Sequence, residues 1–192
     1  MRLQLLSLLI LASCTSAPAV QSGYASRAMS GTLTTQFFIG KIQRSSLDGS
    51  QKYGPQFDSL VKRTVDREHH KIQECVFQEG KAFVTQMTPT EVPLQFNVQD
   101  NGGFSKGFLI FKDDSLAAWS YNVDVVKPFV GKVTGSLADG NGAQIKDDGK
   151  MEIKKIWNGN MLIHEIYSPA TLGQYQDLLK TMAPNGAPAE CL

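Results

Sequence analysis

The sequence predicts a mainly β protein: an antiparallel meander barrel of roughly eight to ten strands with one C-terminal α-helix. Three observations carry that expectation. Past Lys81, apolar and polar residues alternate with period 2, as Leu94, Phe96 and Val98 do against Gln95 and Asn97. Turn-forming clusters separate the runs, among them Asp100-Asn101-Gly102-Gly103, Asp139-Gly140-Asn141-Gly142 and Asn158-Gly159. After Ser168 the apolar spacing changes to three and four residues, as on a helix.

The first β-rich run is Thr32 to Ile42, and a turn-rich loop follows from Asp48-Gly49 to Gly54-Pro55. Residues 56–70 fit two patterns. Phe57, Leu60, Val61 and Val65 suit one helical face, whereas Val61 and Val65 with the basic residues between them suit alternation. The strand reading places strands at 59–66 and 71–79, with a turn at 67–70. Lys81 to Met87 is the next strand, and Pro89 and Pro93 separate it from Leu94 to Val98. Phe108 to Phe111 is continuously apolar, and Ala117, Trp119, Tyr121, Val123 and Val125 share one face of the strand after it. Short strands are expected at 130–138 and 143–146, then at Met151 to Trp157 and Met161 to Tyr167. A helix from about 169 to 182 follows, with Ser168 as its N-cap, Pro169 in its first position, and Pro184 and Gly186 ending it. A β-sandwich, or an open curved sheet packed on the helix, is the alternative arrangement.

The amino-terminal residues carry an address. Arg2 precedes an apolar run from Leu3 to Ala12 that closes on small residues, the order of a secretory signal. The run is about half the roughly 20 residues that span a bilayer. Leu11-Ala12-Ser13-Cys14 resembles the lipobox of bacterial lipoproteins at every position. That resemblance implies cleavage before Cys14, lipid on its sulfur, acylation of the new amino terminus and anchoring to an envelope membrane. Thr15, where Asp would retain such a protein at the inner membrane, implies the outer membrane, facing the periplasm or the cell surface. Ordinary signal cleavage near Ala17 or Ala19 is the alternative. The expected organisation is a signal at 1–13, a lipidated tether at 14–30 poor in large apolar groups, and one barrel-like domain at 31–192. The strand layout with a late helix also resembles the lipocalin-like (calycin) superfamily, which implies a small apolar ligand held in the barrel.

With Cys14 assigned to lipid, Cys75 and Cys191 remain, and in an oxidising compartment a disulfide between them is expected. One buried and one loose thiol is the alternative. The 19 basic and 18 acidic residues nearly balance, and Arg2 is the only charge before Cys14. No block of like charge gives the electrostatic footprint of a nucleic-acid binder.

No catalytic residue, metal ligand set or cofactor motif emerges. Gly103-Phe104-Ser105-Lys106-Gly107 matches the Gly-x-Ser-x-Gly pattern, but a nucleophile elbow needs a strand-to-helix turn, and here a hairpin turn precedes an apolar strand. Glu68-His69-His70 offers neighbouring side chains that diverge on a strand, with His164 the only further histidine. If Asn158-Gly159 is a two-residue hairpin loop, Trp157 faces Asn160, Lys155 faces Leu162 and Ile153 faces His164. Trp119, Tyr121, Lys155, Trp157 and His164 are then candidate ligand-binding residues, against a bland reading as core aromatics, a hydrogen-bonded core histidine and a lysine reaching solvent. The expected function is non-enzymatic: binding of a small apolar ligand or an envelope partner. A solid-cored accessory protein that docks on other envelope proteins is the alternative, and a hydrolase comes third. An apolar cavity of several hundred cubic ångströms beside Trp119, Tyr121 and Trp157 separates the first two.

Overall fold

Thirteen residues from Thr34 to Ser46 form the longest strand, β1, and the rest of the sheet is built outward from it. The computed structural model describes residues 33–92, 94–100, 103–112, 115–121, 142–146 and 148–192, with Phe111, Lys112 and Ser115 described in backbone only. The signal, Cys14, the tether, Val123, Val125 and the strand expected at 130–138 lie outside the described residues.

On one side of β1 the chain meanders through β2 (Phe57–Asp66), β3 (Lys71–Gln78), β4 (Lys81–Pro89), β5 (Gln95–Asp100), β6 (Gly103–Lys112) and β7 (Ser115–Ser120). On the other side β10 (Met161–Ala170) pairs with β1, then β9 (Met151–Trp157) and β8 (Gly142–Ile145) follow outward. The fold is mainly β, a ten-stranded antiparallel meander curled into a half-barrel with one C-terminal helix, in the general manner of a calycin. Residues 57–66 are strand, which settles the ambiguous stretch: Ser59, Val61, Arg63 and Val65 turn inward while Leu60 points out. The Gly103–Gly107 motif is the first half of strand β6, where Asp100 pairs with Gly103. A serine there has no strand-to-helix strain to expose it.

The helix, α1, runs Leu172–Met182 and starts three residues later than expected. Pro169 instead pairs with Phe38 inside β10. Thr171 is the N-cap: its Oγ1 accepts from the Gln174 amide at 3.3 Å, and Gln174 Oε1 accepts from the Thr171 amide at 2.9 Å. This capping box satisfies two amides reciprocally, which a Ser168 cap without Gln or Glu three residues on would not.

The two faces of the sheet are packed differently. On the outer face Leu60 and Phe77 pair across β2 and β3, and α1 lays Tyr175 and Leu179 over them. Cys75 is bonded to Cys191, the last residue of a short 3-10 turn at Ala189–Cys191, so the C-terminus is pinned to β3. The buried Tyr175 hydroxyl donates to the Cys191 carbonyl at 2.9 Å, and its ring lies 5.0 Å from that of Phe37. Burial pushes the Tyr175 phenol up to about 12, so it stays a donor. On the inner face a second cluster includes Val65, Ile72, Met87, Phe96, Val98 and Leu109. These residues fill the end of the half-barrel that holds the β2–β3 and β4–β5 connections.

Candidate functional site

Inner-face residues that pair across neighbouring strands lie side by side, so the register divides the inner wall into rungs. From the filled end outward, one rung is Thr85, Glu74 and Arg63, and the next is Phe83, Val76, Val61 and Phe38. Then come Gln78, Ser59, Gly40, Tyr167 and Met151, followed by Phe57, Ile42, Glu165 and Ile153. The outermost rung holds Arg44, Ile163 and Lys155. Beyond the Arg63 rung Phe38, Val61, Tyr167, Met151 and Ile153 stay buried in the same cluster, and a cavity opens beside them. The described residues leave a cavity of 690 Å³ that opens at the end bearing the β1–β2, β3–β4, β5–β6 and β9–β10 connections.

A buried polar clasp forms the cavity's floor. Arg63 Nε donates to Glu74 Oε2 at 2.8 Å, and Nη2 lies 2.6 Å from the same oxygen. Arg63 Nη1 donates to the carbonyls of Leu116 at 3.2 Å and Ala117 at 2.6 Å. From the opposite wall, Trp119 Nε1 donates to Glu74 Oε1 at 2.6 Å. The guanidinium carbon stands 5.0 Å above the Phe38 ring. Strands β2 and β3 are thus tied to β7, which lies four strands beyond β3 in the sheet, and the sheet is held curled. Both carboxylate oxygens and most of the guanidinium fork are already engaged, so this pair is a support rather than a free ligand for anything in the cavity.

Above the floor the walls are apolar, with a few polar groups. Trp119 packs edge-on against Tyr121, ring centroids 4.8 Å apart, and the Tyr121 hydroxyl donates to Asp100 Oδ2 at 2.5 Å. Burial, reinforced by that carboxylate, pushes the Tyr121 phenol up to about 12. Two glycines let aromatics lie flat on the wall. A Cβ on Gly107 would sit 2.8 Å from Val98 Cγ2 and 3.3 Å from Trp119 Cε3, and one on Gly40 would sit 2.5 Å from the Tyr167 ring. Buried Tyr167 is held neutral well above the ordinary phenol range, by its burial first and by the charge of Glu165 second. Lys155 Nζ contacts Glu165 Oε1 at 2.6 Å. At the mouth Trp157 is 56% exposed and Tyr121 48%, and Phe83, just above the floor, is 43% exposed.

Trp119, Tyr121, Lys155 and Trp157 all line this cavity. His164 does not, and the reason is a register correction. Asn158 and Gly159 both have positive φ, yet Trp157 pairs with Met161 rather than Asn160, which leaves Asn160 as an extra loop residue. Lys155 therefore faces Ile163 and Ile153 faces Glu165. A one-residue slip turns every β10 side chain over. His164 is on the outer face, its Nε2 2.6 Å from Glu152 Oε1, and Lys146 Nζ lies 2.9 Å from the other oxygen. Burial alone would raise the Glu152 pKa, but the hydrogen bonds from Lys146 and His164 outweigh it and hold the carboxyl below its ordinary value. Asp66 caps the β2–β3 turn, its Oδ1 accepting from the His69 amide at 3.0 Å and its Oδ2 lying 2.8 Å from His69 Nδ1. Among the described residues no group of three His, Cys, Asp or Glu side chains is placed to share a metal ion.

Three inner-face residues were not singled out by sequence: Arg63, Glu74 and Glu165. The first two had a signal. Arg63 sits between Val61 and Val65, and Glu74 between Ile72 and Val76, each a charge in the middle of an apolar inward set. Two such charges of opposite sign on adjacent strands suggest a buried pair. Compared with known proteins, the chain matches no family model, no curated protein and no solved structure.

Proposed function

We propose that this chain is a non-enzymatic ligand carrier of a bacterial envelope, anchored by lipid on Cys14, that holds a small apolar ligand inside its half-barrel. The observation that carries this reading is the 690 Å³ cavity, apolar-walled and open at one end. Its size lies within the range of small-molecule sites, and it combines mostly apolar lining with a few placed polar groups, as such sites do. An interior built only for support would be filled to ordinary packing density. The lipobox resemblance supports the location, and the disulfide suits an oxidising compartment.

Native mass spectrometry of the full chain carrying Cys14→Ser, purified from its own host, tests the reading. A discrete adduct of a few hundred daltons, lost on organic extraction and replaced by an added apolar probe, is the expected result. A chain that emerges without adduct and takes up no apolar probe would refute ligand carriage. The second reading, docking of an envelope protein, draws on the exposed Trp157 and Tyr121 at the mouth and the exposed Phe83 on the wall.

A further inference from the structure

The outermost rung of the inner wall places two cations on either side of one aliphatic residue: Arg44 and Lys155 flank Ile163. Strands about 4.8 Å apart put their Cα atoms about 10 Å from each other, with both side chains on the cavity face. Both line the cavity, and both are only partly exposed, at 34% and 31% of their side chains. Neither is exhausted by its partner. Lys155 contacts Glu165 through one of its three N–H donors. The Arg44 fork is turned outward, Nη1 to Glu79 Oε1 at 3.2 Å and Nη2 to Oε2 at 2.8 Å, while its carbon stands 4.6 Å over the Phe57 ring. The deep Arg63, by contrast, is consumed by Glu74 and the β7 carbonyls. The cations with donors to spare are therefore at the mouth, and beneath them Ile42, Ile153, Val61 and Phe38 line the cavity alongside Glu165.

We propose that the ligand is an amphiphile with an anionic head, a carboxylate or a phosphate monoester. The head sits at the mouth between Arg44 and Lys155, and the tail lies inward along Ile42, Val61 and Phe38. This rests on the carrier reading, and it adds the class of ligand and the direction in which it enters. Glu165, one rung deeper, holds Lys155 in place and repels an anionic head from the interior, so the head stays at the opening.

The test is a titration of tryptophan fluorescence with dodecanoate, dodecyl phosphate and 1-dodecanol, each below its aggregation limit. Trp119 and Trp157 both line the cavity and are the chain's 2 tryptophans, so the signal reports on it directly. The full chain carrying Cys14→Ser should bind the two anions at least about tenfold more tightly than the alcohol, as a charge-assisted hydrogen bond predicts. Raising the salt concentration should narrow that ratio. In the combined variant Arg44→Gln, Lys155→Met, Glu165→Gln, which leaves no unpaired buried carboxylate, the ratio should fall below about threefold, with folding checked by circular dichroism. Equal binding of anions and alcohol to the parent chain overturns the anion site and leaves the carrier reading standing. Selectivity that survives in the folded variant overturns the assignment to these residues. Failure of all three probes to bind overturns both readings.

Discussion

The two faces of the sheet at β2 and β3 are one residue apart in sequence and opposite in construction. Outside, Leu60, Cys75 and Phe77 are covered by α1 and tied to the C-terminus by a disulfide. Inside, Val61 and Val76 border a hollow, and what stands beside them is a charged pair, Arg63 and Glu74, reaching across to the opposite wall. Apolar burial needs a partner surface on the other side, and a wall beside a cavity lacks one. The inner face is therefore braced by directional bonds in addition to its packing, while the outer face is held by packing and a covalent link. A hollow interior is stable here because the strands that bound it are secured from behind.

Arg63→Met tests that contrast most severely. It leaves Glu74 buried without its cation and frees two β7 carbonyls, so a loss of about 3–5 kcal/mol is expected in urea denaturation. Adding Glu74→Gln should recover part of it. A cost for Arg63→Met no greater than that of an exposed substitution, about 0.5 kcal/mol, would show that the clasp is not a support. Next in size is the outer face. Replacing Cys75 and Cys191 by Ala opens a link 116 residues apart in sequence and should cost about 2–4 kcal/mol. Because both cysteines lie behind the sheet, apolar probe uptake under native conditions should persist in that variant. Loss of uptake without unfolding would erase the distinction between the faces.

The smallest effect concerns Glu152 on the outer face. Its folded pKa is depressed by Lys146 and His164, so its contribution is present at neutral pH, begins to fall at the ordinary carboxylate value and is lost as pH drops through the lowered folded one. The stability difference between the parent chain and Glu152→Gln should be on the order of 0.5 kcal/mol at pH 7 and should vanish toward pH 3. Urea midpoints at the two pH values measure it. A difference that grows in acid would contradict the assignment.

Strands were legible in the sequence wherever one face alone was apolar, as in Phe96 and Val98 or Trp119 and Tyr121. β10 was legible as a strand but not in register, because Leu162, Ile163, Ile166 and Tyr167 supply apolar groups to both faces, and alternation then cannot choose between them. One extra loop residue, Asn160, decided that His164 turned out and Glu165 in. The helix start was obscured by two overlapping cap signals, Ser168-Pro169 and Thr171 with Gln174, and the reciprocal bond of the second prevailed. The contacts of Arg63 with Leu116 and Ala117 join residues more than fifty positions apart that meet only once the sheet curls. No local pattern encodes that meeting.

The direction of β1 decides which end of the half-barrel receives the chain that precedes it. Its first residue, Thr34, lies at the filled end and its last, Ser46, at the mouth. At about 3.3 Å per residue the two are roughly 40 Å apart. The described chain therefore enters the sheet at its base. Whatever precedes Leu33 is thus delivered to the closed end of the half-barrel, and the strand it continues into runs the full depth of the wall before it reaches the opening.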